Sequence, residues 1–102
     1  RPRLLLLDEP FAALDEITRR RLADDVLALA AELRPAVVFV THSVEEAVYM
    51  ASRVLVLTRA PGQVADETPI DASLPRPEGF RTTALFRDAV EHISNRLEQA
   101  VR

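Results

Sequence analysis

Asp8 and Glu9 are adjacent carboxylates that follow four consecutive leucines, Leu4 to Leu7, and precede Pro10. Such a pair can serve a phosphate substrate in two ways. One carboxylate can hold a hard cation, usually through water. Its neighbour can orient or deprotonate an attacking water. A third group, His42, follows a second apolar run, Ala36 to Val40. An imidazole there can donate a hydrogen bond to a phosphate oxygen. Plainer roles exist for both: an acidic pair that only ends a strand, and a structural histidine. The tetraleucine in front, Pro10 behind and Leu14-Asp15 just beyond favour function for the pair. For His42, Thr41 and a capped helix beside it, at the same edge as Glu9, favour chemistry.

The elements that would position these groups follow from patterning. Arg3 to Asp8 is expected as the first strand: its continuous apolar run, Leu4 to Leu7, reads as buried on both faces, and it is ended by a proline that cannot donate to a ladder. While that strand continues, Asp8 and Glu9 point to opposite faces and take different roles. Asp15 is a good N-cap for a helix over residues 16–33, with Glu16 at its positive end. Leu22, Val26, Leu29 and Leu33 form the apolar stripe of that helix. The arginine run 19–21 reads as its solvated face. Arg34-Pro35 ends the helix, and Ala36 to Val40 is a second buried strand. Strand, helix, strand is a βαβ unit, so the two strands are expected to be parallel. Parallel strands bring Asp8, Glu9 and His42 to one edge of the sheet, where open α/β sheets place ligands.

Ser43 and Glu46 have capping-box spacing, which starts a short helix to about Ser52. A third strand is expected over 53–58, a turn at 60–63 and a returning strand over 63–68, a hairpin. Residues 69–81 hold Pro69, Pro75 and Pro77 and read as a surface linker. Thr82 or Thr83 caps a last helix to about Val101, with Phe86, Val90, Ile93 and Leu97 as its stripe and His92 on its polar side. The fold class is α/β: a parallel βαβ core, a β-hairpin and a C-terminal helix. Three nearly all-apolar strands demand more cover than three helices supply, so a missing half or a partner chain is expected.

Composition narrows the function classes. The chain has 102 residues, 48% hydrophobic and 28% charged, which suits one small globular domain. Its formal charge of −3 offers no basic stripe for nucleic acid. Cysteine is absent, so disulfides and thiolate metal sites are excluded, and a cytosolic setting fits. No apolar run approaches the ~20 residues that span a bilayer. All basic residues are arginine, and the two glycines, Gly62 and Gly79, lie far apart. A P-loop needs clustered glycines and a lysine, so this sequence contains none. The sequence has no initiator methionine and opens close to a strand. The expectation is that it is part of a longer fold.

These residues resemble the second half of the nucleotide-binding subunit of an ABC transporter, a P-loop NTPase. Leu4 to Pro10 resembles the Walker B strand with its catalytic glutamate. Ala13-Leu14-Asp15 resembles the D-loop. Val38 to His42, followed by Glu45-Glu46-Ala47, resembles the switch-histidine region. Arg59 to Val64, the linker containing Pro75-Arg76-Pro77, and the closing helix with Phe86 are similar to the nitrate, sulfonate and taurine importer group. The resemblance implies that Asp8 helps hold Mg²⁺ through water, Glu9 polarises the attacking water and His42 contacts the γ-phosphate of ATP. It implies that Asp15 links two ATPase subunits in a head-to-tail dimer that sandwiches ATP. It further implies integral membrane permease subunits, a periplasmic or extracellular substrate-binding protein, and a peripheral place at the cytoplasmic face of the membrane. Ser43 and Ser52 stand where the family often has Asp, and both keep polar character.

The family's Walker A loop, Gln-containing loop and Ser-Gly-Gly signature are absent from this sequence. By that resemblance, residues 1–69 are the C-terminal part of an ATPase domain, 70–82 a linker and 83–102 a closing helix. The fragment alone is expected to bind ATP poorly and to hydrolyse none detectably. Three other readings compete. A non-catalytic remnant would survive by packing on a partner chain. A helicase-type ATPase would want a basic surface, against the observed charge. A receiver-type phosphoacceptor normally needs a lysine.

Overall fold

The computed structural model describes residues 4–33, 36–58 and 62–100. Strand β1 (Leu4–Asp8), helix α1 (Glu16–Leu33) and strand β2 (Ala36–Val40) form the expected βαβ unit. β1 and β2 pair in parallel, with Leu6 opposite Val38 and Asp8 opposite Val40. Helix α2 (Val44–Met50) follows, then an antiparallel hairpin of β3 (Arg53–Leu57) and β4 (Val64–Pro69), a short 3₁₀ turn at Phe80–Thr82 and helix α3 (Ala84–Ala100). The hairpin makes its own two-stranded sheet rather than extending β1–β2. The expected contributions of Arg3, of Arg34-Pro35, of Arg59, Ala60 and Pro61, and of Val101 lie outside the described residues.

The core is centred on the second half of the chain. Val48 is fully buried on α2, and Val54 and Val56 point inward from β3 beneath Phe86 and Ile93 of α3. Phe80 lies edge-on to Phe86 with ring centroids 5.6 Å apart. The anticipated stripe of α3 is the one buried: Phe86 and Ile93 fully, Val90 and Leu97 partly. Thr83 caps this helix by accepting from the Phe86 amide at 3.2 Å.

Three expectations change. The apolar strands are covered on one side only. Phe39 packs on Phe11 at 5.7 Å, while Leu6 remains 62% exposed and Val38 and Val40 lie open beside it. β3 likewise turns Leu55 and Leu57 outward. Among the described residues no element lies over those faces. The buried face of α1 is centred on Ala23 and Leu27, and Leu29 is exposed. Polar anchors set that rotation: Tyr49 donates to Asp24, and Arg19 faces Glu46. Arg19 therefore leaves the solvated run, whereas Arg20 pairs with Glu16 at the surface, 3.0 Å away.

The segment expected as a surface linker is tied to the body. Ile70, Arg76 and Phe80 are buried within it. The last carbonyls of a helix have no partner inside the helix. Arg76 supplies donors to those of α2, reaching Tyr49 O at 2.9 Å, Val48 O at 3.0 Å and also Ala51 O. Its remaining nitrogen donates to Ala72 O at 3.0 Å and Ser73 O at 3.4 Å, and the guanidinium lies 4.8 Å over the Phe80 ring. Burial pulls its pKa below the ordinary arginine value. Gly79 adopts φ 76° immediately before the 3₁₀ turn, a conformation that costs a glycine little.

Two outcomes follow. In the intact protein, Phe86→Ala should lower unfolding stability by about 3–5 kcal/mol, whereas Leu85→Ala on the outer side of α3 should change it far less. Denaturant midpoints of the two variants measure the difference. The second concerns the start of α1. The Thr18 amide donates to Asp15 Oδ1 at 2.8 Å, and this bond, reinforced by the Thr18 hydroxyl, holds the Asp15 carboxyl below its usual value. A depressed carboxylate stabilises above its unfolded pKa, and that contribution is lost as pH falls through the folded one. Exchange of the Thr18 amide should accelerate as pH drops below the ordinary aspartate range, once intrinsic rates are corrected. Asp15→Asn should remove that pH dependence.

Candidate functional site

The site is built where β1 and β2 end together. The Glu9 amide donates to Val40 O at 2.7 Å, extending the ladder by one residue. Glu9 then leaves the strand with φ 47°, a left-handed conformation uncommon for a non-glycine residue. The alternation expected of Asp8 and Glu9 therefore breaks between them. Asp8 keeps its strand geometry and is exposed on the open face with Leu6. Glu9 turns toward the loop after β2. Strain of this kind is tolerated where surrounding bonds hold it, and it concentrates at functional sites.

Those bonds come from His42. Its backbone amide donates to Glu9 Oε1 at 3.2 Å, and its Nε2 lies 3.5 Å from the same oxygen. The Glu9 side chain is one-third exposed and that of His42 nearly fully exposed, so both reach solvent where a ligand would arrive. The structure thus joins Glu9 and His42 as parallel topology required. It does not join the other two candidates to them. Asp15 is engaged with Thr18 at the head of α1, and the Asp8 carboxylate has no hydrogen bond or ion pair among the described residues.

Asp8 is a single carboxylate, and no group of three or more His, Cys, Asp or Glu that could hold a metal occurs among the described residues. Mg²⁺ often keeps several waters and takes one or two carboxylates plus phosphate oxygens. One carboxylate at a strand end fits a share of such a shell. A shallow cleft lies elsewhere, lined by Arg20, Glu45, Arg81, Phe86 and Arg87 among others, and none of the four candidates borders it.

The loop holding His42 is supported by the expected cap Ser43 and by Glu46 and Arg19, which sequence reasoning read otherwise. Ser43 caps α2, its hydroxyl accepting from the Glu46 amide at 3.3 Å. The reciprocal half of the capping box is missing. Glu46 accepts from the Thr41 hydroxyl at 3.1 Å and faces Arg19 instead, while the Ser43 amide donates to Thr41 Oγ1 at 3.0 Å. The Ser43-to-Glu46 spacing signalled a cap and nothing more. Arg19 carried no signal beyond membership of an arginine run. His92, read as surface, is half exposed but lies 3.3 Å from Asp66, which also accepts from Thr68 and faces Arg96. The Thr68 bond, with His92 and Arg96 near, depresses the Asp66 carboxyl.

No family model matches the chain. Curated relatives do. An aliphatic sulfonates import ATP-binding protein of Nocardia farcinica is 59% identical over 75 residues, covering 74% of this chain and 30% of its own length. One of the same description from Burkholderia lata is 40% identical over 105 residues, covering 99% of this chain and 38% of its own. An uncharacterized ABC transporter ATP-binding protein of Methanocaldococcus jannaschii is 43% identical over 100 residues, covering 98% and 36%. The chain spans about a third of the length of these relatives. Over most of its residues, this chain is a homologue of the ATP-binding proteins of ABC transporters, aliphatic sulfonate import proteins among them.

Proposed function

We propose that this chain is the C-terminal part of the ATP-hydrolysing subunit of an ABC importer for small anions of the nitrate, sulfonate or taurine type. Residues 1–69 form the end of the ATPase domain, 70–82 connect, and 83–102 close it. The observation that carries the reading is the Glu9–His42 pair at the joint end of parallel β1 and β2. The sulfonate-import names of several relatives support the choice of cargo.

In this reading Glu9 is the base. Its carboxylate orients a water and draws off its proton as the water oxygen bonds to the γ-phosphorus of ATP and the bond to the β,γ-bridging oxygen breaks, leaving ADP and phosphate. His42 donates to a γ-phosphate oxygen. Asp8 would help hold Mg²⁺ through water, and the cation would supply neutralisation of phosphate charge. Asp15 meets a second ATPase subunit packed head to tail. The permease subunits, the substrate-binding protein and a peripheral position at the cytoplasmic face of the membrane belong to the same proposal. No described helix is long and apolar enough to cross a membrane. The open face of Leu6, Val38 and Val40 supports a further part of the domain as its cover. With no P-loop in these residues, the fragment alone neither binds ATP tightly nor turns it over.

The test places Glu9→Gln in a full-length chain that carries this segment. General-base assistance is worth ~10²–10⁴ in rate. The variant should bind ATP, remain in an ATP-loaded dimer and lose hydrolysis by about that factor. Undiminished turnover would remove Glu9 from the mechanism. A full-length chain that neither binds nor hydrolyses ATP with Glu9 intact would leave the remnant reading.

A further inference from the structure

We infer that Arg19 and Glu46 form a positioning pair that couples the turn carrying Asp15 to the loop carrying His42. Arg19 stands one turn into α1. Its NH2 group donates to Leu14 O at 2.7 Å, gripping the residue just before Asp15. Its Nε faces Glu46 Oε2 at 3.6 Å. The other oxygen of Glu46 accepts from the Thr41 hydroxyl at 3.1 Å, and the same hydroxyl oxygen accepts from the Ser43 amide at 3.0 Å. The chain of contacts therefore runs Leu14, Arg19, Glu46, Thr41, Ser43, and it brackets His42 on both sides. Only the Arg19–Glu46 link crosses between helices, and the others are local to the turn or the loop.

Two features set this pair apart from ordinary surface ion pairs. The Glu46 side chain is 14% exposed, so its charge is largely removed from water. The Arg19 Nε atom is buried and makes no hydrogen bond, although its carboxylate partner lies only slightly beyond bonding range. A buried donor left open in this way is costly, and a small approach of α2 to α1 satisfies it. That approach moves Thr41 and Ser43 with Glu46. The pair therefore ties the position of the His42 loop to that of the Leu14–Asp15 turn. Arg20 and Arg21 make no such bridge: Arg20 pairs with Glu16 on its own helix, and Arg21 is exposed.

The catalytic consequence rests on the ATPase reading above; the coupling between the two loops does not. The test uses the full-length protein carrying this segment, with Arg19→Met, Glu46→Gln and the double variant. Glu46→Gln keeps the shape and an acceptor for Thr41 while removing the charge. Amide exchange is read on both loops. Glu46→Gln should speed exchange in the turn at 14–15, and Arg19→Met should speed it at 42–43, each across the gap from the altered residue. The double variant should be no worse than the worse single one, as expected of a shared interaction. In ATP hydrolysis, kcat should fall on the order of 10- to 100-fold with KM for ATP little changed, the signature of misplaced chemistry rather than lost binding. Exchange effects confined to the altered residue's own loop would overturn the pair. Cross-loop effects accompanied by unchanged kcat in an active enzyme would overturn the positioning role in catalysis. If the unaltered protein hydrolyses no ATP, the ATPase reading falls, and the exchange cycle still decides the coupling.

Discussion

The parallel pairing of β1 and β2 is the constraint on which the site depends. Side chains at strand ends meet only if both strands run the same way and finish in step. The register that sets Asp8 opposite Val40 achieves this, and the bond from the Glu9 amide to Val40 O carries it one residue further. Beyond that bond the chain turns left-handed at Glu9, and its carboxylate meets the His42 amide and imidazole, while Asp8 stays on the open face of the sheet.

A second constraint works at the far end of α2. This helix is only seven residues long, and its ends matter more than its middle. Ser43 caps one end beside His42. Arg76 satisfies the carbonyls at the other and is itself buried among backbone oxygens and the Phe80 ring. A guanidinium suits that place because it offers several donors in one plane and remains charged when partly desolvated. The result joins the proline-rich segment, α2 and the ring cluster of Phe80 and Phe86 into one body. The same body leaves the outer faces of both small sheets bare, with Leu6, Val38, Leu55 and Leu57 in solvent.

Much of this was legible from residue types. The helices over 16–33 and 84–100 followed from periodic apolar positions and from Asp15 and Thr83 as caps. The hairpin followed from two short strand patterns around a Pro-Gly turn. The continuous apolar runs signalled burial on two faces and a shortage of cover, which the exposed Leu6, Val38, Leu55 and Leu57 match; they cannot say which part of a protein provides the second cover. Leu22 and Val26 of the expected α1 stripe pack on the core, but the inward place of Ala23 and Leu27 escaped, because Leu29 looks as apolar as Leu27. The choice among them was made by Asp24 meeting Tyr49 and Arg19 meeting Glu46, contacts between residues distant in sequence. Arg76 was hidden for the same reason. In a Pro-Arg-Pro setting an arginine looks solvent-bound, and only the nearby end of α2 gives it carbonyls to bind.

The sequence by itself determined the order of elements, the parallel sense of β1 and β2, and the placing of Asp8, Glu9 and His42 at one edge of the sheet. Those follow from local patterning, from proline and from the handedness of βαβ crossovers, which act within a short stretch of chain. Tertiary structure decided which of the acidic residues faces His42, which arginine leaves the surface, and where Glu46 spends its second oxygen. Those outcomes depend on satisfying individual donors and acceptors between elements that are far apart in sequence. No local pattern encodes such a distance, so only the folded arrangement could set it.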